Sequence, residues 1–317
     1  MADARSIILH QYDTSPFSEK VRLALKLKNL AWAAVDIPVI MPKPDLMPLT
    51  GGYRRTPVMQ IGADIYCDSA MILAELERRF PMPQLDLPGH EGLSGMVGSW
   101  ADRVWFQVSV GVIFGALGDQ VPADFKADRE KLSGRPFDTE AMKAAAPMLR
   151  DQWRAHLMQI EQRLRGGRGA GSGSWLVSAK PGFIDVQAHM NIWFAEQNVP
   201  DFVETCLAGA PLTRDWYHRL KESEGQAPEK IDGKTALEIA RDAGPRLKAA
   251  TVDEIEAQGL VAGETVSVAP DDYGRDWVSG HLVHADDQCI ILQRFDDTVE
   301  SIHIHFPRAG YMVRRGE

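Results

Sequence analysis

The sequence predicts an α/β unit, then an all-helical unit, then a small mostly-β unit. Three observations carry that reading. Strand and helix periods alternate through the first 80 residues, the helical period alone recurs from 81 to 225, and short alternating runs separated by Asp/Gly turns fill the chain after 265. At 317 residues the chain exceeds what one core ordinarily holds. The expected divisions are 1–81, 88–225 and 226–317.

Taken in order, 6–11 (SIILHQ) is β-prone and 12–16 (YDTSP) is a turn. Residues 18–30 set Val21, Leu23, Ala24, Leu25 and Leu27 in an apolar stripe with basic residues opposite, the mark of an amphipathic helix. A second strand is expected over 32–37, and Pro38, Pro42, Pro44 and Pro48 before Gly51-Gly52 exclude a long helix there. Strands 57–61 and 64–67 flank a Gly62-Ala63 turn, and Asp68-Ser69 opens a helix reaching Phe80. Stretches 92–118 and 139–164 are helical, with Trp100, Val104, Val108 and Phe114 on one repeating face of the first, while 165–174 has the composition of a flexible exposed loop. Helices are also expected over 186–197 and 212–223. After 225, short helices at 234–243 and 252–258 precede the runs 265–269, 277–285, 288–295 and 299–306, four or five antiparallel strands suggesting a small sheet or barrel.

The net charge of −9 divides as +1 over 1–80, −3 over 81–225 and −7 over 226–317. Such a tail repels phosphate backbones and disfavours nucleic-acid binding, while a small anionic ligand would prefer the first third. No apolar run is long enough to span a bilayer, and Ile7-Ile8-Leu9 behind a lone Arg5 does not make a signal peptide, so no membrane partner and a cytoplasmic location are expected. Cys67, Cys206 and Cys289 are odd in number and widely spaced, which excludes a disulfide scaffold and a Cys-based zinc module; Cys67, inside a strand, reads as buried and inert. In the tail, which also holds His281 and His284, His303 and His305 share a strand face at a spacing that can hold a metal. No carboxylate stands beside them at ligand spacing, and polar residues alternating on the exposed face of a sheet are the ordinary pattern, so no metal is expected.

Residues 14–22 (TSPFSEKVR) are the first place where chemistry could sit. A turn delivers Ser15 to a helix start, Pro16 suits the first helical position, and the free N–H groups there attract negative charge. The Ser15 hydroxyl can donate to a thiolate or carboxylate, or it can simply cap the helix.

With S-P-F-S-x-K-V-R before an amphipathic helix, T-P-V before a hairpin and Y-C-D-S opening a helix, residues 6–225 resemble the cytosolic glutathione transferases. That resemblance implies a thioredoxin-like first domain, the family's all-helical second domain, and glutathione as co-substrate. By position, Ser15 stands where serine-type members, such as the theta and zeta classes, hold the glutathione sulfur, and where omega-type relatives have Cys; Ser18, one turn on, is second choice. Pro57 matches the family's cis-proline, with the Thr56 backbone pairing with the tripeptide; the usual residue before it is Val. Asp68 and Ser69 match the acidic-Ser pair that holds the γ-glutamyl end. Arg55 would reach an anionic end of glutathione, with Tyr53 as an alternative contact and Arg54 as a weaker candidate. Asp185 resembles the family's helix-capping aspartate, although Gly182 replaces the usual Ser/Thr partner and leaves the capping box incomplete. Trp105, Phe106 and Phe114 are candidate walls of the electrophile pocket. With Ser at both 15 and 18, no enzyme cysteine stands ready for thiol–disulfide exchange. The function implied is attack of the glutathione thiolate on a small electrophile, carried out by a homodimer. The competing expectation is a non-catalytic binding module of the same fold that uses its β-rich tail for recognition.

Overall fold

The computed structural model describes residues 2–166, 174–245, 251–252 and 259–316. The first unit comprises β1 (Ile7–Gln11), α1 (Pro16–Leu27), β2 (Trp32–Asp36), a short α2 (Met47–Thr50), β3 (Val58–Ile61), β4 (Asp64–Cys67) and α3 (Ser69–Arg79). β1 and β2 are parallel, and β3 is antiparallel to both β1 and β4. α1 starts where it does because Pro16 occupies its first turn and the Ser15 Oγ accepts the Ser18 N–H at 3.1 Å. Asp68 caps α3 in the same way, its Oδ1 taking the Ala70 N–H at 2.8 Å. One expectation fails on α1: of the basic residues placed opposite the apolar stripe, the Lys20 and Lys28 side chains are wholly buried, each neutralised by a carboxylate from a later segment.

The helical unit runs through α4 (Leu93–Ser99), a π-helical turn (Trp100–Trp105), α5 (Phe106–Leu117), a 3-10 turn (Gly118–Gln120), α6 (Ala123–Ser133), α7 (Thr139–Gly166), α8 (Phe183–Asn198), α9 (Pro200–Ala208) and α10 (Pro211–Lys221). Its core holds the fully buried Trp105, Trp153 and Trp216. The loop expected over 165–174 falls mostly outside the described residues, as does the helix expected over 252–258. Asp185 ties this unit together. Its carboxylate accepts the Gly182 N–H at 2.9 Å, the Leu176 N–H at 3.0 Å and the Trp216 indole N–H at 2.8 Å. Glycine has no side chain to return a bond, so the Gly182 carbonyl accepts the Asp185 N–H instead.

The tail contains β5 (Glu229–Lys230), α11 (Gly233–Ala243), β6 (Thr251–Val252), β7 (Thr265–Pro270), β8 (Val278–Ala285), β9 (Cys289–Asp296), β10 (Glu300–Pro307) and β11 (Tyr311–Arg315). Its strands do not close on themselves. They continue the first unit's sheet in the order β11-β7-β8-β9-β10-β4-β3-β1-β2-β5, with β6 beside β8. β10 runs parallel to β4, pairing His303 with Asp64 and His305 with Tyr66, while β5 adds to β2 at the far edge. The first unit's strand residues divide by parity: Ile7, Leu9 and Met59 face α1, α3 and the helical unit, while Ile8, Val58, Ile65 and Cys67 face α2, α11 and the tail. α11 is pinned to that second face by the Gln60 amide, which donates to the Ala236 carbonyl at 2.8 Å.

This continuity overturns the exposed histidine face expected on β10. His303 and His305 are buried, because β10 is flanked by β4 and β9 and α3 packs against it. His305 stacks on Tyr66 with ring centroids 4.4 Å apart and bonds the Asp64 carboxylate at 2.9 Å. The carboxylate that looked absent at ligand spacing comes from β4.

Candidate ligand cavity

Where the first unit, the helical unit and the tail meet lies a cavity of about 350 Å³, toward the small end of the roughly 300–1,000 Å³ usual for ligand sites. The first unit supplies Phe17, Tyr53, Arg55, Thr56, Pro57, Asp68, Ser69 and Ala70 to its wall. The Thr56-Pro57 peptide is cis. The Thr56 hydroxyl accepts from Lys43 Nζ at 3.0 Å, so the departure from Val has a structural use. Lys43 is itself buried, and that burial draws its pKa down to about 8.

Asp68 sits at φ +81°, a conformation that turns its carboxylate across the α3 N-terminus. Its second oxygen accepts the Tyr311 hydroxyl at 3.1 Å, and the Tyr311 oxygen lies 3.2 Å from the Tyr53 hydroxyl, which can donate to it in turn. Burial pushes both phenols well above their usual range, so they remain protonated donors. Ser69 opens α3, and its Oγ accepts from Lys20 Nζ at 3.3 Å. The same ammonium meets the Asp102 carboxylate at 2.5 Å.

Asp102 and Arg103 reach the cavity from the π-helical turn, where the wider coil re-aims successive side chains. The turn is braced from behind, as the Ala101 carbonyl accepts both the Phe106 N–H and the Asn191 amide, the latter at 2.9 Å. Burial raises the Asp102 carboxyl pKa against the pull of the Lys20 ammonium.

The tail closes the remaining side. Asp272 and Tyr273, on the β7–β8 connection, and Ala309, Gly310 and Tyr311, at the turn into β11, line the cavity. Arg55 bonds the Asp272 carboxylate and the Tyr273 carbonyl, and its guanidinium carbon lies 3.9 Å from the Tyr273 ring centre. Arg103 pairs with Asp271 at 2.7 Å.

Of the residues singled out in the sequence, Thr56, Pro57, Asp68, Ser69, Arg55 and Tyr53 therefore converge on one cavity. Arg54 does not; it pairs with Asp128 on α6 at 2.8 Å. Ser15 and Ser18 lie just below the surface without lining the cavity. Ser15 is 1% exposed with its Oγ accepting in the helix cap, and the buried Ser18 hydroxyl has no hydrogen-bond partner among the described residues. Phe17, between them, is the wall residue, and it packs edge-on to Phe106 with ring centroids 4.8 Å apart. Trp105 is buried against Trp100 and Trp153, and Phe114 belongs to a cluster with Phe125 and Phe137. Cys67 is fully buried, and burial lifts its thiol well above the usual range. His284, Asp286 and Cys289 bring their possible ligand atoms within 4.8 Å of one another near the β8–β9 turn. There Asp286 already accepts the Gln288 and Cys289 N–H groups.

Sequence reasoning missed Lys20, Asp102, Arg103, Asp272, Tyr273 and Tyr311. Lys20 stands inside a quoted motif, but helical periodicity put it on the polar face. The others become neighbours of Asp68 only through tertiary contacts.

Residues 9–84 match the family model for the glutathione S-transferase N-terminal domain. A GST-like protein from Pseudomonas syringae is 31% identical, with each chain covered in full and a TM-score of 0.79. A glutathione S-transferase from Rhodospirillum rubrum F11 is 20% identical over 68% of this chain and 88% of its own, with a TM-score of 0.51. One from Methylobacillus flagellatus, solved with glutathione bound, is 17% identical over 70% of this chain and 100% of its own, also at 0.51. No curated protein matches. The chain belongs to the glutathione S-transferase family, and its likeness to the Pseudomonas protein covers the whole chain, tail included.

Proposed function

We propose that the protein is a glutathione transferase: the tripeptide thiol occupies the cavity, and its thiolate attacks a small electrophile. The observation that supports this best is the convergence of the cis Thr56-Pro57 segment, the Asp68-Ser69 helix start and Arg55 on one cavity. In this reading the γ-glutamyl ammonium meets the Asp68 carboxylate. The neighbouring carboxylate meets Ser69 at the α3 N-terminus, with the Lys20 ammonium behind it. The main chain of Thr56 pairs with the cysteinyl residue, and the Ser15 hydroxyl, whose oxygen already accepts from Ser18, donates its proton to the sulfur. A donor and a helix N-terminus beside the sulfur both favour thiolate over thiol. The electrophile would rest against the helical side, near Phe17 with Phe106 behind it. The sulfur–carbon bond forms as the leaving group departs with the displaced electron pair.

Titration calorimetry with glutathione, followed by turnover of an electrophile panel, tests this. Ser15→Ala is expected to lower turnover about 10- to 100-fold, the value of one hydrogen bond to a charged atom. Intact turnover in Ser15→Ala together with its loss in Ser18→Ala would move the sulfur contact to Ser18.

The second reading, a binding module without turnover, draws support from Ser15 standing outside the cavity wall with its oxygen engaged in the cap. Glutathione binding without turnover of any electrophile would select it. We further propose a cytoplasmic homodimer; no described helix is long and apolar enough to cross a membrane. An apolar groove of about 390 Å³ lined by Leu93, Met96, Val97 and Trp100 is a surface such a dimer could cover, and sedimentation at equilibrium would decide, a monomer removing it.

A further inference from the structure

We propose that Asp272 sets the ligand class of the cavity. It selects a γ-glutamyl thiol whose opposite end is uncharged or cationic, in preference to one ending in a free carboxylate. The inference rests on the reading above, in which Asp68 and Ser69 take the amino-acid end and Arg55 meets the other.

The charges around the cavity support it. Each cation there already has a carboxylate: Asp272 for Arg55, Asp271 for Arg103 and Asp102 for Lys20. Asp68 differs. Its oxygens accept from the neutral Ala70 N–H and Tyr311 O–H, and among the described residues it has no ion-pair partner. The wall therefore offers an uncompensated negative charge for an ammonium and no uncompensated positive charge for a second carboxylate.

The Arg55–Asp272 pair is shielded from solvent. The side chains are 13% and 26% exposed, and the Tyr273 ring covers the guanidinium. Salt screens so sheltered a pair weakly. An incoming carboxylate would have to displace Asp272 or crowd a second anion onto one guanidinium, and like charges so close repel strongly. A carbonyl from an ester or amide accepts a hydrogen bond from the wall without adding charge. Asp272 lies in the tail, so this selection is made by a residue of the β-rich segment rather than by the first unit that holds Arg55.

The test uses the full chain, calorimetry, and two probes: glutathione and its glycyl monoethyl ester. Wild type is expected to bind the ester about tenfold more tightly. Asp272→Asn keeps the shape and removes the charge, so glutathione should gain about tenfold while the ester changes little. Asp272→Ser serves as a second variant, with near-ultraviolet circular dichroism reporting the fold, and the wild-type ratio stands even if both variants misfold. A wild type that binds glutathione as tightly as the ester overturns the inference and leaves the cavity assignment standing. So does an unchanged ratio in a folded variant. If wild type and the folded variants bind neither probe, the glutathione reading falls and takes this inference with it.

Discussion

Lys20→Met removes the ammonium that joins α1, the α3 N-terminus and the π-helical turn. Methionine keeps the length and apolar stem, so the change isolates the charge. The Lys20 side chain is fully buried and Asp102 is 21% exposed. Breaking a buried pair by deleting one partner costs about 3–5 kcal/mol, because the other charge is left uncompensated. Partial solvent access to Asp102 brings the expectation to about 2–3 kcal/mol at pH 7. The loss has a defined pH dependence. Burial already raises the Asp102 pKa despite the ammonium, and removing the ammonium raises it further. A carboxyl whose folded pKa exceeds its unfolded value binds its proton more tightly when folded, so the penalty is largest at neutral pH and shrinks as pH falls through the folded pKa. Urea unfolding at pH 7 and pH 5 measures this directly. Lys20→Met/Asp102→Asn, which removes both charges, is expected to recover most of the loss. A single-variant cost below about 1 kcal/mol at both pH values, or a double variant no better than the single, would refute the reasoning.

Other perturbations read other parts of the fold. His10 and His189 are buried, and burial lowers their pKa values to about 4 and about 3. The unfolded chain then binds protons that the folded one refuses, so stability should fall from about pH 6.5 to pH 4 by on the order of 3 kcal/mol for each histidine; His189→Phe should flatten that slope in a pH series of urea midpoints. Asp185→Ala strands the Leu176, Gly182 and Trp216 donors and should cost more than about 3 kcal/mol by chemical denaturation. Ending the chain at 225 uncovers the β4 edge and the second face of the sheet, and should give aggregation in light scattering; a monodisperse 1–225 protein with full ligand affinity would show that the tail is dispensable.

The first unit was legible because its signals are local. Ser15-Pro16 and Asp68-Ser69 start helices through bonds spanning two or three residues, and the run 6–11 is β-prone whatever it comes to pair with. The helical unit was legible as a class but not in every element. α6 (ADFKADREKLS) is mostly charged and only partly covered, so it carries little apolar period, and the nine-residue α9 is too short for one to emerge. Strands β7 to β10 were recognised from alternation, yet alternation does not say what a strand pairs with. β10 joins β4 across a separation of 241 residues at His305 and Asp64, and no local signal encodes that distance. The same gap hid the tail's side of the cavity wall. Asp272 sits in a turn and Tyr311 opens β11 just after one, where Asp, Gly and Tyr read as ordinary connectors until the sheet carries them to Arg55 and Asp68.

The tail's structural task and its place at the cavity follow from one placement. A sheet ending at β4 would leave a strand edge open to pairing with other chains. β10 fills that edge in parallel register, and β5 does the same for β2 at the opposite side. Once β10 is fixed, its end at Pro307 sets the following turn over the α3 N-terminus, which brings Tyr311 to the Asp68 carboxylate. The antiparallel run β10-β9-β8-β7 then returns the β7–β8 connection to the same opening, where Asp271 and Asp272 meet Arg103 and Arg55. Trimming residues from the end disturbs the wall and the sheet together: loss of β11 alone removes the Tyr311 contact and one of the two strands paired with β7. Point changes such as Asp272→Asn are what can separate ligand choice from edge protection, because the carboxylate contributes to the first while the strand pairing that provides the second runs through the backbone.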